Sequence, residues 1–184
     1  MLRDSSTDYG LISQAFHWAL TLLVIGMLLL GWAMAAWFPH ASVGPTLGYI
    51  HKATGLLTIA LAILFVAWRV LNTRPSLAEI PAWQRTLASL THVLLFLILF
   101  VQPLTGILMV MASGHAISFY GLFSLPVWTP HSHALASTAH FIHTEILPWV
   151  ILGAIVMHVL GAFYHQLVRR DDILQRMLPG RGVD

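Results

Sequence analysis

Four apolar runs, each long enough to cross a bilayer, constrain this 184-residue chain more than any other feature. A helix rises about 1.5 Å per residue and the hydrocarbon core is about 30 Å thick, so a crossing takes about 20 apolar residues. The runs extend from about Leu11 to Phe38, Leu47 to Leu71, Leu87 to Ala112 and Phe141 to Val168. None alternates as a membrane β-strand would. Inside a bilayer only helices or closed barrels satisfy every backbone N–H and C=O. The expected fold is an all-α integral membrane four-helix bundle, one domain over residues 1–184. Charged residues form only 9% of the chain, against about 25% in soluble domains. Several tryptophans, among them Trp18, Trp37, Trp68 and Trp149, fall towards run ends, where the indole suits the membrane interface.

Orientation follows from the basic residues. Arg3 precedes the first run, Arg69, Arg74 and Arg85 surround the second connection, and Arg169, Arg170, Arg176 and Arg181 follow the fourth run. The connections 39–46 and 113–140 hold no Lys or Arg. Basic connections stay inside, which predicts that both termini are cytoplasmic. The segment 113–140 is long for a loop and is expected to form a partly ordered outer cap. The first run lacks a small-residue cleavage site and reads as a span rather than a cleavable signal. Without cysteine the chain makes no disulfide, no Cys-ligated iron–sulfur cluster and no covalent c-type haem. A net charge of +2 gives no footing for nucleic acid.

Eleven histidines outnumber the nine Lys plus Arg. Ionisable residues inside spans are costly and mark function by default. His17 and His158 fall near the cytoplasmic ends of runs one and four, His51 and His143 near the outer ends of runs two and four. His158 follows His143 by fifteen residues, roughly 22 Å along a helix axis. Two layers, each with one histidine from an early span and one from the fourth, suit bis-histidine haem, which takes axial nitrogens from facing helices. The bland alternative is hydrogen bonding between helices. Gly55 and Gly161, one turn after His51 and His158, would let a ring approach the backbone. His140 lies one turn before His143 and competes with it as the outer ligand. His92 lies at the cytoplasmic depth and could be a replacement ligand, a propionate contact or an interhelical donor, the last two being favoured.

These residues sit in stretches that resemble the prokaryotic cytochrome b561 family of membrane di-haem cytochromes: FHW, GYIHKATGLL, WRVLNTRP, LTHVLLFLILFVQPLTGILM and MHVLGAFYHQLVRRDDILQRMLPG. The resemblance implies that His17, His51, His143 and His158 ligate the irons of two non-covalent b-type haems in a bacterial inner membrane. The chain departs from the pattern at Leu11, where an Arg is usual, and at Gln166, where a second histidine usually follows His165. It also departs in the fifteen-residue histidine spacing, where about fourteen is usual. A wide helical turn near Pro148 would absorb the extra residue.

Two axial ligands per iron leave no open position, so outer-sphere electron transfer is the expected activity. The expected electron acceptor is a quinone, with ubiquinone leading, and His165 near the cytoplasmic interface is the expected proton donor to it. Lys52, beside His51, would pair with a propionate or attract a small anion. Some members of the family oxidise superoxide, so a superoxide:quinone oxidoreductase is the leading enzymatic reading, with another periplasmic donor also open. The alternative is a haem-carrying membrane anchor of a multi-subunit dehydrogenase or hydrogenase. The outer His-x-His of His131 and His133, with His115, is a weak metal motif.

Overall fold

The computed structural model describes residues 1–37, 44–73, 75–76 and 80–178. Arg74, Arg181 and most of the 39–46 connection, which entered the orientation reading, lie outside the described residues. Four helices are long and apolar enough to cross a membrane. They are α1 (Leu11–Ala36), α2 (Gly44–Leu71), α3 (Ala82–Ala112) and the run His133–Arg169. That last run starts inside the segment expected as outer cap. Ser132 caps it by accepting from the Leu135 amide at 3.3 Å.

The fourth run is not one uniform helix. It comprises α4 (His133–Phe141), a π turn over Ile142–Ile146, α5 (Leu147–Phe163) and a second π turn over Tyr164–Arg169. The wide turn expected near Pro148 is the first of these. Pro148 brings no N–H to the helical ladder, and the turn before it takes one more residue than an α turn.

Neighbouring helices run antiparallel. Phe16 stacks on Phe65 with ring centroids 5.5 Å apart, and Phe65 on Phe96 at 5.6 Å. Trp68 Nε1 donates to Ser13 Oγ at 2.8 Å. At the end carrying the termini, Gln14 Nε2 donates to the Arg176 carbonyl at 3.1 Å and Trp18 Nε1 to that of Met177 at 2.8 Å. The opposite end carries a two-stranded antiparallel hairpin, β1 (Ile117–Phe119) with β2 (Phe123–Leu125), in the register Ile117 to Leu125 and Phe119 to Phe123. Its turn holds Tyr120 at φ 49° and Gly121 at φ 76°, the primed-turn sense that suits strand twist. Tyr120 is strained there, and a 2.6 Å hydrogen bond between its hydroxyl and Thr54 Oγ1 fastens it to α2.

The apolar surface faces outward. Leu22, Leu29, Leu97 and Leu160 are each more than half exposed, as side chains against lipid tails should be. Between the helices lie small residues: Ala53, Ala62 and Ala112 are completely buried. Lipid tails are as apolar as leucine, so close backbone packing rather than hydrophobic burial joins such helices. Ala62→Leu should therefore cost about 1–3 kcal/mol, read as a lower unfolding temperature in detergent. Leu22→Ala, on the 71%-exposed position, should leave that temperature nearly unchanged.

Candidate functional site

The bundle brings four of the intramembrane histidines into two pairs. His17 on α1 and His158 on α5 have ring centroids 6.0 Å apart near the terminal end. His51 on α2 and His143 in the first π turn are 6.1 Å apart near the cap end. A metal–imidazole bond is about 2 Å, so imidazoles on opposite sides of one ion have centroids about 6 Å apart. Both pairs meet that spacing. His140 is exposed and turned away from His51, with Thr144 Oγ1 donating to its carbonyl at 2.9 Å. His143 alone of the two faces the partner.

The surroundings of His143 fix its tautomer. Its Nδ1–H donates to the Gln102 carbonyl at 2.9 Å, and Thr105 Oγ1 lies 3.1 Å from the same nitrogen. Gln102 Nε2 donates back to the His143 carbonyl at 3.2 Å. Such a bond leaves Nε2 as the lone-pair nitrogen, the arrangement of a metal-ligating histidine. Gly106, one turn after Gln102, makes the approach possible. A Cβ there would lie 2.9 Å from His143 Cε1. At Gly31 a Cβ would lie 3.6 Å from His51 Cε1, an ordinary contact.

His17 and His51 each bury Nδ1 without a hydrogen-bond partner among the described residues. Nothing among the described residues therefore fixes the tautomer of these two rings, as the Gln102 carbonyl fixes that of His143. A cleft opens beside His51 and His143, lined among others by Gly55, Thr58, Gly106 and the exposed Lys52. The donor set, the spacing and the cleft fit haem.

A family model described as prokaryotic cytochrome b561 matches residues 8–180. The chain belongs to that family. Cytochrome b561 homolog 2 of Escherichia coli K12 is 33% identical, with 92% of this chain and 90% of the relative covered. Cytochrome b561 homolog 1 of the same organism is 30% identical over 90% and 93%. A Yersinia pestis protein named probable superoxide oxidase CybB is 24% identical over 93% and 96%. As a b561 cytochrome the chain is a bacterial membrane protein that binds b-type haem and transfers electrons.

His92 joins the terminal-end pair, its ring 5.2 Å from that of His158 and edge-on. Its Nδ1–H donates to the Ala88 carbonyl of its own helix at 2.7 Å, so the bond ties it to α3 and not to a second helix. Gly55 lines the cleft, whereas nothing lies within 4 Å of a Cβ on Gly161. His165 sits in the second π turn, and Asp171, which the sequence did not single out, holds its Nδ1 at 2.7 Å. Arg169 Nε and the Ile173 amide also donate to that carboxylate, at 3.2 and 3.3 Å. Partial burial alone would raise the Asp171 carboxyl; the bonds from His165, Ile173 and Arg169 outweigh it and hold the group below its ordinary value. Asp171 is therefore ionised through the neutral range, and the contact is lost only as pH falls through that lowered value. Arg170, in the left-handed region at φ 55°, turns the chain so that Asp171 can reach back. His115, His131 and His133 form no metal-ligating cluster among the described residues.

Gly106→Ala should push His143 off its carbonyl partner and shift or broaden the low-spin haem signal of one pair, read by electron paramagnetic resonance. Gly31→Ala should leave both signals in place.

Proposed function

We propose that the chain is a di-haem relay that carries electrons from a donor outside the cell membrane to the membrane quinone pool. The observation that carries this reading is the presence of two histidine pairs at metal-bridging spacing, one towards each end of a single bundle. Haem held by His17 with His158 and by His51 with His143 supplies one-electron transfer. The basic residues support cytoplasmic termini, which makes the His51–His143 pair the outer one.

Superoxide is the donor this reading favours. The name of the Yersinia pestis relative supports it, and so does the outer end itself. Lys52 lines the cleft beside His51 and gives an anion a positive charge to approach. Two superoxide anions release two electrons and two dioxygen molecules; one ubiquinone takes two electrons and two protons to become quinol. His165 is suited to hand over protons at the terminal end. Asp171 holds Nδ1–H, so Nε2 is the nitrogen free to turn to a substrate. The second reading, a membrane anchor for soluble subunits, draws on the exposed hairpin tip, where Leu122 is 78% and Phe123 53% exposed.

Purified protein mixed with a superoxide flux should show haem reduction, followed by reoxidation when ubiquinone is added. An unchanged spectrum would remove superoxide as the donor and leave the relay standing. His17→Ala and His158→Ala should each lose one of two haems, whereas His92→Ala should retain both; two haems in either of the first two would overturn the pairing. His165→Leu should slow quinone reduction by about 10²-fold and Asp171→Asn by roughly tenfold, with haem reduction by the donor unchanged in both. The wild-type quinone step should keep its dependence on Asp171 down to pH values below the ordinary carboxylate range, as the lowered carboxyl requires.

A further inference from the structure

Arg69 served the sequence reading only as a marker of orientation, but its guanidinium is set into the bundle. Its neighbour Trp68 donates to Ser13, one turn before His17 on α1. Ser13 in turn donates to Asp4 Oδ2 at 2.7 Å, and the Gly10 amide takes Asp4 Oδ1 at 2.7 Å. This part of α2 is thereby fixed one helical turn towards the terminal end from His17. Arg69 itself lies over the Tyr9 ring, 5.0 Å from its centroid, and Nη2 donates to the Tyr9 hydroxyl at 3.3 Å.

Nη1 of Arg69 is buried and has no hydrogen-bond partner among the described residues. The nearby carboxylate, Asp4, is already engaged by Ser13 and Gly10, and no described carboxylate makes an ion pair with Arg69. A buried guanidinium nitrogen left bare is costly, and an arginine inside a span is retained for a partner. The group that belongs there is an anion with its own oxygen, because guanidinium prefers carboxylate or phosphate.

We propose that Arg69 binds an acid side group of the haem held by His17 and His158, and so raises that haem's reduction potential. The inference rests on the two-haem reading above. A fixed positive charge beside the inner haem favours its reduced form. Among the described residues the outer pair has only the solvent-exposed Lys52 as a counterpart, and an exposed charge is screened where a buried one is not. Arg69 therefore biases the outer-to-inner step towards the inner haem.

The test is an optical redox titration of Arg69→Gln and Arg69→Lys beside the wild type, in nanodiscs, with the inner haem assigned from a His51→Ala variant. Arg69→Gln should shift the inner haem's reduction equilibrium at least tenfold towards the oxidised form, about 59 mV for one electron. Arg69→Lys should return most of the shift, and the outer haem should not move. Loss of the inner haem in Arg69→Gln with its retention in Arg69→Lys also supports the anchor. An unchanged inner potential, or an equal shift of both haems, overturns it. The shift should persist in purely phosphatidylcholine discs; a shift seen only with anionic lipid would assign Nη1 to a headgroup phosphate and overturn the haem contact. A wild-type chain with fewer than two haems would instead remove the reading on which the inference stands.

Discussion

Everything in this bundle depends on keeping imidazoles paired across helix interfaces in a medium without water. A lone histidine in hydrocarbon has no solvent to satisfy its nitrogens, so its position is set by what the facing helix offers. The fourth run must offer something at both ends, and the two histidines it pairs, His143 and His158, are fifteen residues apart. The π turn over Ile142–Ile146 settles this conflict. It takes up the extra residue ahead of Pro148 and lets His143 lie on Gly106 while His158 faces His17. A single irregular turn thus governs whether one helix can serve two layers. Such turns are found mostly at functional sites.

Much of this was legible from the chain. Histidines stand out in apolar runs, their depth follows from counting residues, and antiparallel connections decide which share a layer. The wide turn was legible too, because a misfit spacing next to a proline has few remedies. The choice between His140 and His143 was not. They sit on nearly the same face of an ideal helix, and only the π turn separates the half-buried ring from the exposed one. Nor were the glycines. Gly55 and Gly161 were reasonable choices by distance along their own helices, but the glycines that touch imidazoles, Gly106 and Gly31, belong to the facing helices. Contact across an interface depends on rotation about two axes, and neither is written in one helix's sequence.

The same limit explains Asp171 and Arg69. Asp171 reaches His165 because Arg170 takes a left-handed conformation that sequence gives no reason to expect of an arginine. Arg69 is counted by any orientation rule as a charge at a span end. Its bare nitrogen becomes visible only once Tyr9, Ser13 and Asp4 are folded around it. Basic residues near a membrane surface can mark topology and hold a ligand at once, and position along the chain reports only the first.

The bonds from Gln14 and Trp18 to the carbonyls of Arg176 and Met177 have a consequence for biogenesis. Helix α1 leaves the ribosome early, and its polar side chains wait at the membrane surface until residues 176 and 177 have emerged. The terminal end therefore stays unlatched through most of translation. A prosthetic group entering at the terminal end has that interval before the tail closes over it.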